Sequence, residues 1–234
     1  METHETQLDR ELRKLKNKLV DMAETAEAMI DQAIKELVDR DERFAAEVPE
    51  EEEELNRLHI KIDEQALALL ATCQPVADDL RFIVAASKIN SEIERIGDLA
   101  VNITQNTNVL LQRPQVKSLI DIPRMADLAG DMVRNSVKAF IEGDAELAQS
   151  VTLADDEVDN LRDQVIRELL TYMMSDPQSI EQALALILIS RHLERIGDHA
   201  TNIAEEVIYI VQGRDVRHPK TPLEDRDVGL VEGL

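Results

Sequence analysis

The stretch EIERIGDLAVNI at residues 92–103 recurs as HLERIGDHATNI at residues 192–203, with eight of twelve positions identical. A block that returns after 100 residues marks an internal duplication, so the 234-residue chain is expected to divide into two similar halves instead of enclosing one continuous core. Within the second copy Leu193, Ile196, Ala200, Ile203 and Val207 follow three-four spacing, the signature of a helix with one core-facing stripe. Each copy also sets two carboxylates, Glu94 with Asp98 and Glu194 with Asp198, at the i,i+4 spacing that places both on one helical face. Gly97 and Gly197 interrupt these helical runs at a cost of about 1 kcal/mol each relative to alanine. Such a cost at equivalent places asks for a local reason, either close helix approach or room for a bound ion beside the carboxylates.

Outward from these blocks, helical periodicity runs almost throughout, and Pro49, Pro75, Pro114, Pro123, Pro177, Pro219 and Pro222 fall where it breaks. The breaks predict six helices, at about residues 6–41, 50–72, 76–112, 122–142, 144–173 and 177–212. The duplication extends across them: Leu55, Leu58 and Ile62 correspond to Val158, Leu161 and Val165, and the turn at Pro75 corresponds to that at Pro177. The expected fold is therefore all-α, two tandem three-helix bundles with antiparallel neighbours, spanning residues 1–114 and 119–213, followed by a mobile tail at 214–234 that has lost apolar periodicity. The absence of Trp and an aromatic content of 2% agree with packed helices.

A formal charge of −22 argues against nucleic acid, whose phosphates require a Lys/Arg surface, and against unaided adhesion to anionic lipid. The longest apolar run, Ala183 to Ile189, is far shorter than the roughly 20 residues of a membrane span, and no signal-peptide pattern opens the chain. A cytosolic location is expected. The single cysteine, Cys73, cannot form an internal disulfide and reads as a small buried apolar side chain.

Hairpin register shows which carboxylates can meet. Glu52 and Asp98 lie 23 residues before and after Pro75, and Asn56 and Glu94 lie 19 before and after it. Around Pro177, Asp155 and Asp159 lie 22 and 18 residues before, and Glu194 and Asp198 lie 17 and 21 after. Antiparallel helices thus bring one acidic pair opposite another in each half, with Asn56 replacing one carboxylate in the first. Like charges so placed repel, and protonation or a cation relieves the cost. Oxygen-only donors suit hard ions such as magnesium, calcium, manganese or oxidised iron better than structural zinc. By helical angle these groups sit toward the outside of their bundles, so a solvated acidic face accounts for the same pattern.

Asp127 and Asp131 share the i,i+4 spacing but lie with Arg134 and Lys138 on what reads as a solvent face. His192 and His199 read as surface or packing histidines, and the run Glu50 to Glu54 suits a helix N-terminus through the macrodipole. A diiron-carboxylate or metal-storage bundle would also place carboxylates between helices, yet no glutamate here has a histidine three residues on. No Gly-rich phosphate loop, Ser/His/Asp set or Cys/His cluster nominates a catalytic centre.

With ERIGDHATNI at 194–203, LTYMMSD at 170–176 and QPVADDLR at 74–81, the chain resembles the PhoU family of bacterial and archaeal phosphate-transport regulators over roughly residues 8–218. The resemblance implies two three-helix bundles and metal ions held by acidic pairs with three residues between them. These map onto Asp155 with Asp159, Glu94 with Asp98, and Glu194 with Asp198, while Glu52 with Asn56 departs from the pattern. Asn102 and Asn202 continue the same face. It further implies regulation without catalysis: damping of the phosphate ABC transporter through its ATPase subunit, and holding of a phosphate-responsive sensor histidine kinase in its repressing state. A homodimer at the cytoplasmic side of the membrane, tethered through these partners, completes the expectation.

Overall fold

The computed structural model describes residues 6–41, 43 and 48–213. Six long helices follow one another, α1 (Gln7–Asp39), α2 (Val48–Cys73), α3 (Ala77–Leu111), α4 (Asp121–Glu142), α5 (Ala145–Ser175) and α6 (Ile180–Gln212). No strand occurs among the described residues, and the helix ends fall within about three residues of those expected. The tail at 214–234, expected to be mobile, lies outside the described residues.

Local chemistry explains the ends. Thr6 opens α1 with a capping box: its hydroxyl accepts the Asp9 N–H at 3.1 Å, and its own N–H donates to the Asp9 carboxylate at 2.9 Å. Asp144 caps α5 by accepting the N–H groups of Glu146 and Leu147 at 2.9 and 3.0 Å. Pro49 and Pro123 lie in the opening turns of α2 and α4, where a missing N–H costs nothing, and Pro177 opens a single 3₁₀ turn (Pro177–Ser179) that leads into α6. Arg40, Gly143 and Gly213 close α1, α4 and α6 in the left-handed conformation. Arg40 also donates to the carbonyls of Leu110, Leu111 and Arg113, tying the end of α1 to the end of α3.

Helices α1–α3 pack on one another as one bundle and α4–α6 as the other, and the two bundles meet through α3 against α6 and α1 against α4. The α3/α6 contact is antiparallel, with Lys88 opposite Glu206, Glu92 opposite Asn202, and Asn106 opposite His192. Where the start of α3 reaches the second bundle, its Phe82 stacks on Phe140 of α4 with ring centroids 4.6 Å apart, and the Lys16 ammonium of α1 lies 4.9 Å from the Phe82 centroid.

The expectation of two halves without a common core is corrected here: the buried apolar residues of both bundles form one continuous cluster. The reason is the width of the buried arcs. The outer helix α2 buries a single stripe, Leu55, Leu58, Ile62, Ala66 and Leu69, and α5 does likewise. On α6, by contrast, Ala183, Ala185, Leu186, Ile189, Leu193, Ile196, Ala204 and Ile208 are buried on two sides, because one side meets its own bundle and the other meets α3. No helix of the described residues is long and apolar enough to cross a membrane.

Candidate metal centre

The α5/α6 hairpin brings Asp155, Asp159, Glu194 and Asp198 together as the register predicted. Asp155 is the group that registers it. Partial burial together with the charges of Asp198, Asp159, Asp156 and Glu194 pushes its carboxyl up from 3.8 to about 6. Asp198 is also raised, by desolvation and then by Asp159, with His199, Arg162 and Arg195 pulling the other way. Gly197 forms part of the wall: a Cβ there would lie 3.3 Å from Asp155 Oδ1 and 3.5 Å from the Met132 Cε of α4. The missing side chain is what lets the carboxylate lie against the α6 backbone.

Sequence reasoning did not single out Arg162, which lies between the two acidic pairs. Its Nη1 donates to Asp159 Oδ1 at 2.9 Å and also to Glu194, while its other nitrogens bind Asp163 at 2.9 and 3.1 Å. The guanidinium side chain is 22% exposed, so it supplies a partly desolvated positive charge between α5 and α6. Its i,i+3 spacing from Asp159 was the available sequence signal. No three His, Cys, Asp or Glu side chains among the described residues are grouped closely enough to hold a metal ion.

The first half keeps the register but not the surroundings. Glu52 and Glu94 are half-buried, Asn56 and Asp98 exposed. A Cβ at Gly97 would meet the Leu55 methyls at 3.0 and 3.2 Å, so that glycine serves close apolar packing. The counterpart of Arg162 is His59, whose Nε2 turns along its own helix toward Asp63 at 3.6 Å. Asp63 is occupied further by Ser87 Oγ at 2.9 Å and Asn90 Nδ2 at 3.1 Å.

The remaining candidates are structural. Asn202 does not assist the carboxylates, since its amide donates to Glu92 Oε2 at 3.1 Å across the bundle contact, where His199 Nδ1 also lies 2.7 Å from the same oxygen. Burial raises the Glu92 carboxyl, but the His199 and Asn202 hydrogen bonds, with the charges of His199 and Arg95, outweigh it and hold the group below its usual range. The backbone carbonyl of Asn102 accepts from Asn106 Nδ2 at 2.7 Å, and Asn106 lies 3.5 Å from His192 Nε2. Both histidines are thus packing groups at the α3/α6 contact. Asp131 and Asp127 are exposed, and Asp131 pairs with Arg134, which reaches α1 at Glu27. Cys73 is half-buried against the core edge instead of fully enclosed.

Comparison with known proteins accounts for the doubling. The PhoU domain model matches twice, over residues 19–107 and 122–207, one copy within each bundle. The chain belongs to the PhoU domain family. A phosphate-specific transport system accessory protein PhoU homolog of Pseudomonas putida is 39% identical over 213 residues, covering 91% of this chain and 83% of the relative. The crystal structure of PhoU from Pseudomonas aeruginosa superimposes with a TM-score of 0.85 at 37% identity, covering 89% of this chain and 100% of that one. The phosphate transport system regulatory protein PhoU from Streptococcus pneumoniae gives a TM-score of 0.80 at 26% identity, over 90% of this chain and 99% of the other. The PhoU-family fold, six helices in two bundles, and an accessory role in phosphate transport follow from these matches.

Proposed function

We propose that this PhoU-family chain is a non-catalytic regulator that damps phosphate uptake and represses phosphate-starvation signalling by binding the ATPase subunit of the phosphate ABC transporter and the sensor histidine kinase at the cytoplasmic face of the membrane. The observation that carries this reading is the match of nine-tenths of the chain to relatives named as phosphate-specific transport accessory proteins. A regulator of this kind works only through differential affinity for its partners' states, since a binder indifferent to those states shifts nothing. The charge of −22 favours basic partner surfaces.

The family also implies bound metal. The second-half residues fit a hard cation in donor chemistry: four oxygen-bearing side chains, a carboxyl at Asp155 pushed up by its neighbours, and a glycine wall that leaves the carboxylate room. In this reading Asp155, Asp159, Glu194 and Asp198 are the residues that would hold the ion, and its charge would relieve the repulsion among them. The first-half residues Glu52, Asn56, Glu94 and Asp98 fit less well, with one carboxylate fewer and with Leu55 filling the gap at Gly97.

Deletion of the gene, together with any paralogue, is expected to derepress phosphate-starvation genes in phosphate-rich medium. Pull-down of the transporter ATPase or the kinase should weaken between low and high salt as the charges are screened. Unchanged expression in the strain lacking all paralogues refutes the regulatory role.

A further inference from the structure

The duplication repeats, besides the acidic register, a ladder of exposed apolar side chains at the tip of each outer hairpin. At the α2/α3 tip Leu67 and Ala71 form one i,i+4 pair and Leu80 and Val84 another, all of them exposed. The hydrogen bond from Ser87 to Asp63 fixes the register of this hairpin, bringing Leu67 level with Val84 and Ala71 level with Leu80. The α5/α6 tip carries the same arrangement at the equivalent positions, Leu170 level with Leu184 and Met174 level with Ile180, in the register set by Asp155 against Gly197 and Arg162 against Glu194. The large side chains in the two ladders are 41–86% exposed, on outward helical faces where polar residues ordinarily sit. An apolar residue exposed singly is unremarkable, whereas a contiguous ladder met twice at matched positions marks a contact surface. Because α3 and α6 run antiparallel, the two tips lie at opposite ends of the molecule.

The ladders differ in charge. One turn inward of Leu67 stands exposed Glu64, with Asp63 beside it, and the residue equivalent to Glu64, one turn inward of Leu170, is exposed Arg167. On the partner helix Ser91 is answered by exposed Arg191. Lys88, which borders the acidic tip, is engaged by Glu206 of α6 at 2.7 Å, and Asp163, which borders the basic tip, is engaged by Arg162 at 2.9 Å. Among the described residues Glu64, Arg167 and Arg191 join no ion pair.

We infer that the tips are the two sides of one interface between copies of this chain, the α5/α6 tip of one copy packing on the α2/α3 tip of a second. Each tip offers the other an apolar ladder of matching layout, and Arg167 and Arg191 on one side meet Glu64 and Asp63 on the other. Packing a tip on its own kind brings like charges together, so the charges select unlike tips. An anionic lipid surface also accepts apolar side chains beside arginines, but the chain's charge of −22 opposes it. Each copy carries both tips, so two copies about a two-fold axis can make the contact twice.

The test is sedimentation equilibrium of the full chain, freed of metal by chelator, in about 0.15 M salt, where a screening length of about 8 Å confines charge effects to the contact itself. The wild type is expected to self-associate. Glu64→Arg and Arg167→Glu, each alone, should raise the Kd at least about tenfold, and an equimolar mixture of the two should associate within about threefold of the wild type, because the reversed charges then face one another. Leu67→Ser and Leu170→Ser should weaken association likewise, while Leu153→Ser, at an exposed apolar position farther back on α5, should leave it unchanged. A wild type that stays monomeric, association that the charge reversals leave intact, or a mixture that fails to restore it overturns the inference. Monomers that instead bind anionic vesicles through Arg167 and Arg191 assign the basic tip to lipid.

Discussion

Replacing Asp155 by asparagine keeps the shape of the side chain and removes the charge that its neighbours disfavour. In the native protein the carboxyl is pushed up from 3.8 to about 6, so between those values the folded state binds more protons than the unfolded state. Stability therefore falls as pH rises through that window and stays depressed above it. At about 1.36 kcal/mol per pH unit the full effect is about 3 kcal/mol, and solvent screening of a partly accessible group reduces it to about 1.5 kcal/mol. With metal removed by chelator, Asp155→Asn is expected to be about 1.5 kcal/mol more stable than the wild type in urea denaturation at pH 7.5. Because the sequence pI is near 4.5, pH 5 is the practical lower arm, and there the gain should shrink to roughly half. Asp156→Asn, at an exposed neighbour, should move stability by less than about 0.5 kcal/mol. Saturating manganese should reverse the order, since a ligand at 100 times its Kd stabilises by about 2.7 kcal/mol and the variant has lost a donor. A variant no more stable than the wild type at pH 7.5, or one whose gain is unchanged at pH 5, refutes the crowding argument.

In calorimetry with manganese, Asp198→Ala should remove the stronger binding event and Asp98→Ala the weaker, because Asn56 and Leu55 impoverish the first half; the opposite loss reverses the ranking. Gly97→Ala should destabilise by about 0.5–1 kcal/mol despite its gain in helix propensity, since the new methyl meets the buried Leu55, whereas Gly197→Ala should be within about 0.5 kcal/mol of neutral in the chelated protein. Thermal melts of the two variants side by side settle which glycine is the packing one. Glu92→Gln should cost about 1 kcal/mol at pH 7 by weakening the His199 and Asn202 contacts between bundles. That cost should diminish as pH falls into the carboxylate range, because the native carboxyl is held below its usual value and its stabilisation is lost on protonation.

The helices were legible because punctuation and periodicity agree: every proline within the described residues sits at a helix end, in a turn or in the linker between bundles. The acidic register was legible too, since residues equally spaced from Pro75 and Pro177 must come level on antiparallel helices. What escaped was tertiary. The shared core depends on α3 and α6 having two buried sides, and a search for one stripe per helix passes over the second. Arg162 shares its i,i+3 spacing from an acid with ordinary surface arginines, and only α6, by placing Glu194 within reach, sets it apart.

Gly97 and Gly197 both follow Glu-Arg-Ile and precede Asp, yet their uses diverge through residues 42 positions earlier, Leu55 and Asp155. The atoms nearest a Cβ at Gly97 all belong to Leu55, whereas at Gly197 they belong to Asp155 and Met132 instead of to Val158, the smaller counterpart of Leu55. Taken with Asn56 against Asp159 and His59 against Arg162, three of the differences between α2 and α5 fall within two turns of one another beside the glycines. All three changes act on the acidic cluster: they add a carboxylate, clear space beside a glycine, and supply a permanent counter-charge. On the α3 and α6 sides of the clusters the run Glu-Arg-Ile-Gly-Asp is unchanged, at 94–98 and 194–198. Beside the clusters, then, what separates the two halves lies on the outer helices, and one hairpin carries the crowded carboxylates.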